Sequence, residues 1–329
     1  MTEREIHLNA FLSQQNFLAD SQLVVITGDA SFRKYYRITT AGQSFIVMDS
    51  NPDVVNNHPF IAYNRLFSTQ GLRLPNILAS DERHGFFLLE DLGSVHLADL
   101  LASNQKINYY QQLIDLLPLI AKTPADVTMR KYDGEFVAFE LNIFKEWLVE
   151  GVLKRRFSND EDALWQSVVS LLTDNLLNQP QVTVHRDYHS RNLMYYQNQW
   201  VVIDYQDAVT GPVSYDLVSL LRDCYHQLTA DEFSQLFDYG FKVLQDFGLL
   251  PNVSPAQFRR WFDLVGVQRH LKAAGIFCRL LLRDHKAGYV PAILPTLEYV
   301  VAVAKDYPEL DALQHWLSQA LMPSLIEVL

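Results

Sequence analysis

The chain has two cysteines in 329 residues, Cys224 and Cys278, far apart and without Cys-x-x-Cys spacing. This excludes a disulfide framework and the usual thiolate zinc site, and it fits a reducing compartment. The 13 glycines never fall as Gly-x-Gly, and no Gly-x-x-x-x-Gly-Lys occurs, so neither a dinucleotide fingerprint nor a Walker loop is present. His-Glu-x-x-His and Gly-x-Ser-x-Gly are missing as well, which removes the commonest zinc-peptidase and serine-hydrolase signals. Positive charge is scarce: 27 basic against 38 acidic side chains leave a net charge of −11, which argues against binding nucleic acid by phosphate neutralisation. No uninterrupted apolar run approaches the ~18 residues of a membrane span, and the first residues, Met1-Thr2-Glu3-Arg4-Glu5, are charged. The expectation is a soluble cytoplasmic protein acting on a small molecule, with no membrane, nucleic acid or obligate protein partner.

What is present changes character near residue 93. Before it, β-branched and aromatic runs at Leu23–Thr27, Lys34–Thr39, Ser44–Asp49, Asn76–Ser80 and Phe86–Leu89 read as strands, with one helix over His58–Thr69. After it, apolar residues recur at helical spacing, as in Tyr109–Ala121, Phe136–Leu153, Glu161–Leu177 and Pro255–Ala287. Two short strand-like runs, Val182–Val184 and Trp200–Ile203, interrupt the helices. A sheet lobe with one helix (residues 1–93) followed by a mainly helical lobe (94–329) is an α+β organisation of the protein-kinase-like, two-lobed kind.

The interruption carries the chemistry. His185-Arg186-Asp187 is followed five positions later by Asn192, as in a kinase catalytic loop, and Val201-Val202-Ile203 ends in Asp204. Phosphoryl transfer needs little covalent chemistry from a protein but much positioning. In that scheme Asp187 orients and deprotonates the attacking hydroxyl, while Asn192 and Asp204 hold Mg²⁺, whose preference is for oxygen. Asp216 opens a helix, where an acidic residue complements the helix dipole; in the kinase-like fold an aspartate here braces the catalytic loop, and His185 is grouped with it as a structural brace. Only twelve residues separate Asp204 from Asp216, too few for the platform on which protein kinases dock a peptide, so a small acceptor is implied.

With these residues the chain resembles the aminoglycoside phosphotransferase superfamily. Within it, the similarity is greatest to the bacterial anomeric sugar kinases of cell-wall recycling, which act on N-acetylmuramate and N-acetylglucosamine. The resemblance includes Gly28–Arg37, Phe45-Ile46-Val47-Met48-Asp49, Leu88–Gly93, Phe144–Leu148 and Gln268–Lys272. It implies ATP and Mg²⁺ as cofactors, a hinge at Glu90-Asp91-Leu92 whose backbone pairs with adenine, and a turn over Asp29–Arg33 that covers the phosphates, with Ser31, Phe32 and Arg33 as nucleotide-binding residues. One departure stands out. The third strand offers Met48 where a phosphate-pairing lysine is expected, and His58–Thr69 contains no glutamate to partner one. Joint loss avoids an unpaired buried charge and suggests an arginine of the phosphate turn as the replacement; loss of catalysis is the other reading.

On the acceptor side, Trp147 is read either as core or as a platform for a sugar ring. His189 and Arg191, inside the catalytic loop, are candidate contacts to acceptor or phosphoryl group. If Gln268–Lys286 is one helix, Arg269, Lys272, Arg279, Arg283 and Lys286 share one arc with Asp284 pointing away. That stripe is either a solvated face paired with neighbouring carboxylates or an attractor of an anionic acceptor such as N-acetylmuramate. A kinase of choline, homoserine or an aminoglycoside, and a nucleotide-binding pseudokinase, are the alternatives.

Overall fold

The computed structural model describes residues 2–15, 21–26, 32–40 and 42–329. In chain order the helices are α1 (Glu3–Ser13), α2 (His58–Thr69), α3 (Leu97–Leu100), α4 (Lys106–Ala121), α5 (Gly134–Ile143), α6 (Asn159–Leu177), α7 (Tyr215–Leu221), α8 (Ala230–Asp246), α9 (Pro255–Leu282), α10 (Ile293–Ala304), α11 (Asp311–Trp316) and α12 (Met322–Val328). The strands are β1 (Leu23–Ile26), β2 (Lys34–Thr40), β3 (Gln43–Asp49), β4 (Ile77–Asp81), β5 (Phe86–Glu90), β6 (Gln181–Val184), β7 (Leu193–Tyr196), β8 (Gln199–Val202) and β9 (Val209–Pro212). The chain divides into two compact units, Met1–Leu97 with Asn192–Gln206, and Ala98–Arg191 with Asp207–Leu329.

The first unit is built on an antiparallel sheet in the order β1-β2-β3-β5-β4. Alternation along the strands gives it two apolar faces. Ile38, Val47, Phe86 and Leu88 pack with Leu8, Phe11 and Leu12 of α1. On the other face Phe87 meets Phe60 of α2 at 5.4 Å between ring centroids, and Phe60 stacks on Tyr205 at 5.4 Å. The helix α1 was not expected from the sequence, because only three of its residues are buried and its apolar stripe is thin. Its signal is instead a capping box: Thr2 Oγ1 accepts from Glu5 N at 3.3 Å, and Glu5 Oε2 accepts from Thr2 N at 2.7 Å.

The same unit contains the β7–β8 hairpin, whose register pairs Leu193 with Val202 and Tyr196 with Gln199. Its two-residue turn, Gln197-Asn198, has φ of +49° and +61°, the left-handed pair that matches the twist of tight hairpins. This register sets Asn192 and Asp204 at the same end, with Ile203 N donating to Asn192 O at 3.0 Å.

In the second unit the 28-residue helix α9 is buried around most of its circumference, from Phe258 to Leu280, the signature of a central core helix. α5 runs into a π-helical stretch, Phe144–Val152, and the change of pitch falls where Gly275 of α9 comes closest. A Cβ on Gly275 would stand 2.6 Å from Ile143 O and Phe144 N, so glycine is what lets the two backbones meet. The apolar window over residues 287–304 is long enough by composition to cross a membrane, but it is broken into a 3-10 turn and α10. The latter buries Ile293, Leu297, Val300 and Val303.

The structure corrects the basic stripe. α9 ends at Leu282 rather than continuing to Lys286, Asp284 does not point away but pairs with Arg283 at 2.8 and 2.9 Å, and Lys272 is 7 % exposed. The spacing was helical, but the inner half of the arc faces protein.

Candidate active site

The loop that follows β6 is anchored residue by residue. Asp216, in the first turn of α7, accepts from the amides of His185 at 2.7 Å and Arg186 at 2.9 Å. Burial pushes the Asp216 carboxyl up, and His185 and the two amides oppose that push. Arg269 of α9 donates to Arg186 O at 2.7 Å and to Ser219 Oγ at 2.7 Å. Tyr188 Oη donates to Leu113 O at 2.9 Å, and Asp223 accepts from Ser190 N at 2.9 Å. These contacts hold Arg186 at a φ of +78°, a strained conformation for a residue with a Cβ that persists only where the surroundings enforce it.

Asp187 sits between these anchors with its side chain 30 % exposed. Burial alone would raise its pKa, but Arg186, Lys272, His189 and Arg269 hold the carboxyl well below the ordinary carboxylate range. It is therefore ionised, positioned and partly open, which is what a group accepting a hydroxyl proton requires.

Beneath it lies a charge the sequence reading missed. Glu140 of α5 is 2 % exposed, accepts from Tyr132 Oη, from Gln268 Nε2 at 3.0 Å and from Lys272 Nζ at 3.0 Å, and lies 3.8 Å from Arg186 Nε. Burial pushes it up, and Lys272, Arg186 and Tyr132 more than offset this. Its signal was present: Glu140 shares an apolar helical face with Phe136, Val137 and Leu141, where a lone acid needs a buried partner.

A second cluster in this unit surrounds Arg191. Its guanidinium carbon lies 3.7 Å from the Tyr225 ring centroid and 5.7 Å from that of Tyr289, and Nη1 is 3.5 Å from Tyr289 Oη. His189 meets the Tyr225 ring at 5.6 Å, and Phe277 stacks on Tyr289 at 5.6 Å. The structure thus brings His189 and Arg191 together around Tyr225. Arg269 spends donors on the loop backbone and Ser219. Trp147 stands half-buried on the π stretch, and none of the loop contacts above runs through it.

In the first unit, Asn192 and Asp204 converge at the hairpin end, with Asn192 Nδ2 3.5 Å from Asp204 Oδ2 and Gln206 Nε2 donating to Asp204 Oδ1 at 2.7 Å. Asp204 is exposed and takes a φ of +63°. An amide carbonyl and a carboxylate, both oxygen donors, fit a hard divalent cation whose remaining positions go to phosphate and water. At the expected hinge the side chains are engaged locally: Glu90 pairs with Arg73, and Asp91 pairs with Arg37 at 2.6 and 2.9 Å. Arg37, with the Gly93 amide, holds Asp91 below its ordinary range against burial. Leu92 is buried.

Met48 is fully buried and lies across from Tyr35 in the β2–β3 register. Phe32 is 77 % exposed, and Arg33 lies with its guanidinium 5.9 Å from the Phe60 ring centroid. Ser31 lies outside the described residues, as do Gly28, Asp29 and Ala30 of the expected phosphate turn.

A family model described as the phosphotransferase enzyme family matches residues 22–250. The chain belongs to this family. It is 37% identical over 291 residues to the N-acetylmuramate/N-acetylglucosamine kinase of Pseudomonas putida, covering 88% of this chain and 86% of that one. It is 36% identical over 316 residues to the protein of that name from Neisseria meningitidis, covering 94% of each. Among solved structures, it is similar to a choline kinase from Streptococcus pneumoniae (TM-score 0.63, 13% identity, 92% of this chain and 100% of that one). A choline/ethanolamine kinase family protein from Mesorhizobium loti gives a TM-score of 0.64 at 11% identity over 99% of each chain. These likenesses establish the protein-kinase-like fold of this phosphotransferase.

Proposed function

We propose that this phosphotransferase is an ATP- and Mg²⁺-dependent cytoplasmic sugar kinase that phosphorylates the anomeric hydroxyl of N-acetylmuramate and N-acetylglucosamine. The observation that carries the activity is Asp187, ionised and partly open within a loop clamped on both sides; the named relatives support the choice of sugar. In the proposed step the anomeric oxygen attacks the γ-phosphorus, the bond from that phosphorus to the ADP oxygen breaks, and the hydroxyl proton passes to an Asp187 oxygen. Mg²⁺, held by Asn192 and Asp204, would neutralise phosphate charge as it redistributes. The backbone at Glu90–Leu92 serves adenine. Because the Glu90 amide already donates to Asn76 O at 3.0 Å, donation to the base falls to a residue beyond it.

Arg33 is the proposed substitute for the absent lysine. It precedes β2, and its guanidinium lies 5.9 Å from the Phe60 ring centroid, on the sheet face where Phe60 meets Phe87 and where Tyr35, Met48 and Phe87 lie in register. Burial pushes the Tyr35 hydroxyl up to about 12, with Arg33 opposing and Asp204 adding to the push, so both charges bear on this face. On the acceptor side, Arg191, stiffened between two tyrosine rings, suits the carboxylate of N-acetylmuramate.

The test is turnover with ATP, Mg²⁺ and a panel of amino sugars and amino alcohols, followed by phosphorus NMR. A sugar 1-phosphate is expected. A different ester, or nucleotide binding without turnover, would contradict the reading.

A further inference from the structure

The Glu140 cluster goes beyond what the reaction itself needs. Arg186 Nε lies 3.8 Å from Glu140 Oε1 and 4.0 Å from Asp187 Oδ2, too far from either for a hydrogen bond. The guanidinium therefore faces two carboxylates without a hydrogen bond from Nε to either, while its Nη1 donates to Asp207 O at 3.4 Å. Its main chain cannot follow either, being clamped by Asp216 and Arg269, and its guanidinium carbon is also 5.6 Å from the Phe136 ring centroid. Glu140 is fixed from the far side by Tyr132, Gln268 and Lys272. We infer that Glu140 is a positioning residue for Asp187, holding Arg186 and Lys272 back from closing onto the base as direct ion pairs.

This rests on the reading of Asp187 as the proton acceptor. The physical case is one of competition. Two cations near two carboxylates, Lys272 buried and Arg186 half-buried, distribute themselves between them, and removing one acid turns both cations toward the other. A contact ion pair on Asp187 would occupy the oxygen that has to face the acceptor hydroxyl, and attraction at these separations is strong where water is scarce.

The test compares variants that all keep Asp187. Glu140→Gln preserves shape and removes the charge, and it is expected to lower kcat at least tenfold while leaving ATP affinity within twofold. Arg186→Gly removes the competing guanidinium at a position whose φ of +78° glycine adopts without strain. It is expected to turn over faster than E140Q, and the double variant E140Q/R186G is expected to come within threefold of R186G alone. A folded E140Q with wild-type kcat, an R186G no faster than E140Q, or a double variant as slow as E140Q would each overturn the inference. If E140Q does not fold because Lys272 is left uncompensated, the neutral pair E140Q/K272M carries the same comparison, slow with Arg186 and recovering with R186G. Asp187→Asn separates the two claims: if it stays active, the base assignment fails, whereas an inactive D187N beside an unimpaired E140Q overturns the role of Glu140 alone.

Discussion

Arg186, Lys272, His189 and Arg269 outweigh burial at Asp187, so its pKa is depressed, not raised. The acid limb of kcat/KM from this group therefore lies below its ordinary value near 3.8, and no fall attributable to it is expected between pH 8 and pH 5. A protonation step near pH 6 in the profile that disappears in the Asp187→Glu variant would contradict this. Arg33→Ala is expected to weaken ATP binding about tenfold, roughly 1.4 kcal/mol, with adenosine binding unchanged, as read by titration calorimetry; equal losses for both ligands would remove the phosphate role. Arg191→Ala should raise KM for N-acetylmuramate by roughly tenfold, the scale of one lost charge-assisted contact, and much less for N-acetylglucosamine, which lacks the carboxylate. Equal effects on the two sugars would point to a role in loop packing.

At the scale of elements, the α5–α9 contact holds the Glu140 cluster together. Gln268, Lys272 and Gly275 fall at i, i+4 and i+7 on α9, so one face delivers two donors to Glu140 and then the bare backbone against which α5 changes pitch. Gly275→Ala is expected to cost about 1–3 kcal/mol through overpacking and to lower the melting temperature by several degrees; an unchanged melting curve would mean that the contact relaxes freely. The strands and helices were largely legible because their apolar periods are regular, and the candidate catalytic loop stood out because Asp187, Asn192 and Asp204 keep a short fixed spacing. Besides α1 and Glu140, three things were not legible. Strands such as β7 and β9 span only four residues each, too few to show a period, and α9 ends just before His285, which takes a φ of +54° as Lys286 N donates back to Leu280 O at 2.9 Å. The inward turn of Lys272 depends on Glu140, which is 132 residues away in the chain.

At the scale of the whole molecule, buried ionisable groups set the response to acid. Burial pushes the His270 imidazole down to about 3, so the folded state holds it neutral while the unfolded chain protonates it near 6.5. Stability from this group is present above that value and is lost as pH falls toward 3. His226, also lowered by burial and by Lys106, adds to the same limb. Asp187, Asp91 and Glu140, all depressed, add stability that is present above about pH 4 and fades below it. The melting temperature should therefore begin to fall below about pH 6.5 and fall more steeply below 4, and His270→Gln should flatten the first part. A melting temperature constant from pH 7 to 5 would contradict the buried neutral histidine. The central claim is nonetheless catalytic, and it is tested most directly by kcat and MgATP affinity measured together on Asp187→Asn. The account predicts that turnover of the amino sugar falls roughly 10²–10⁴-fold, the scale of a lost general base, with nucleotide affinity within threefold of the parent. Turnover within tenfold of the parent would show that another group takes the proton.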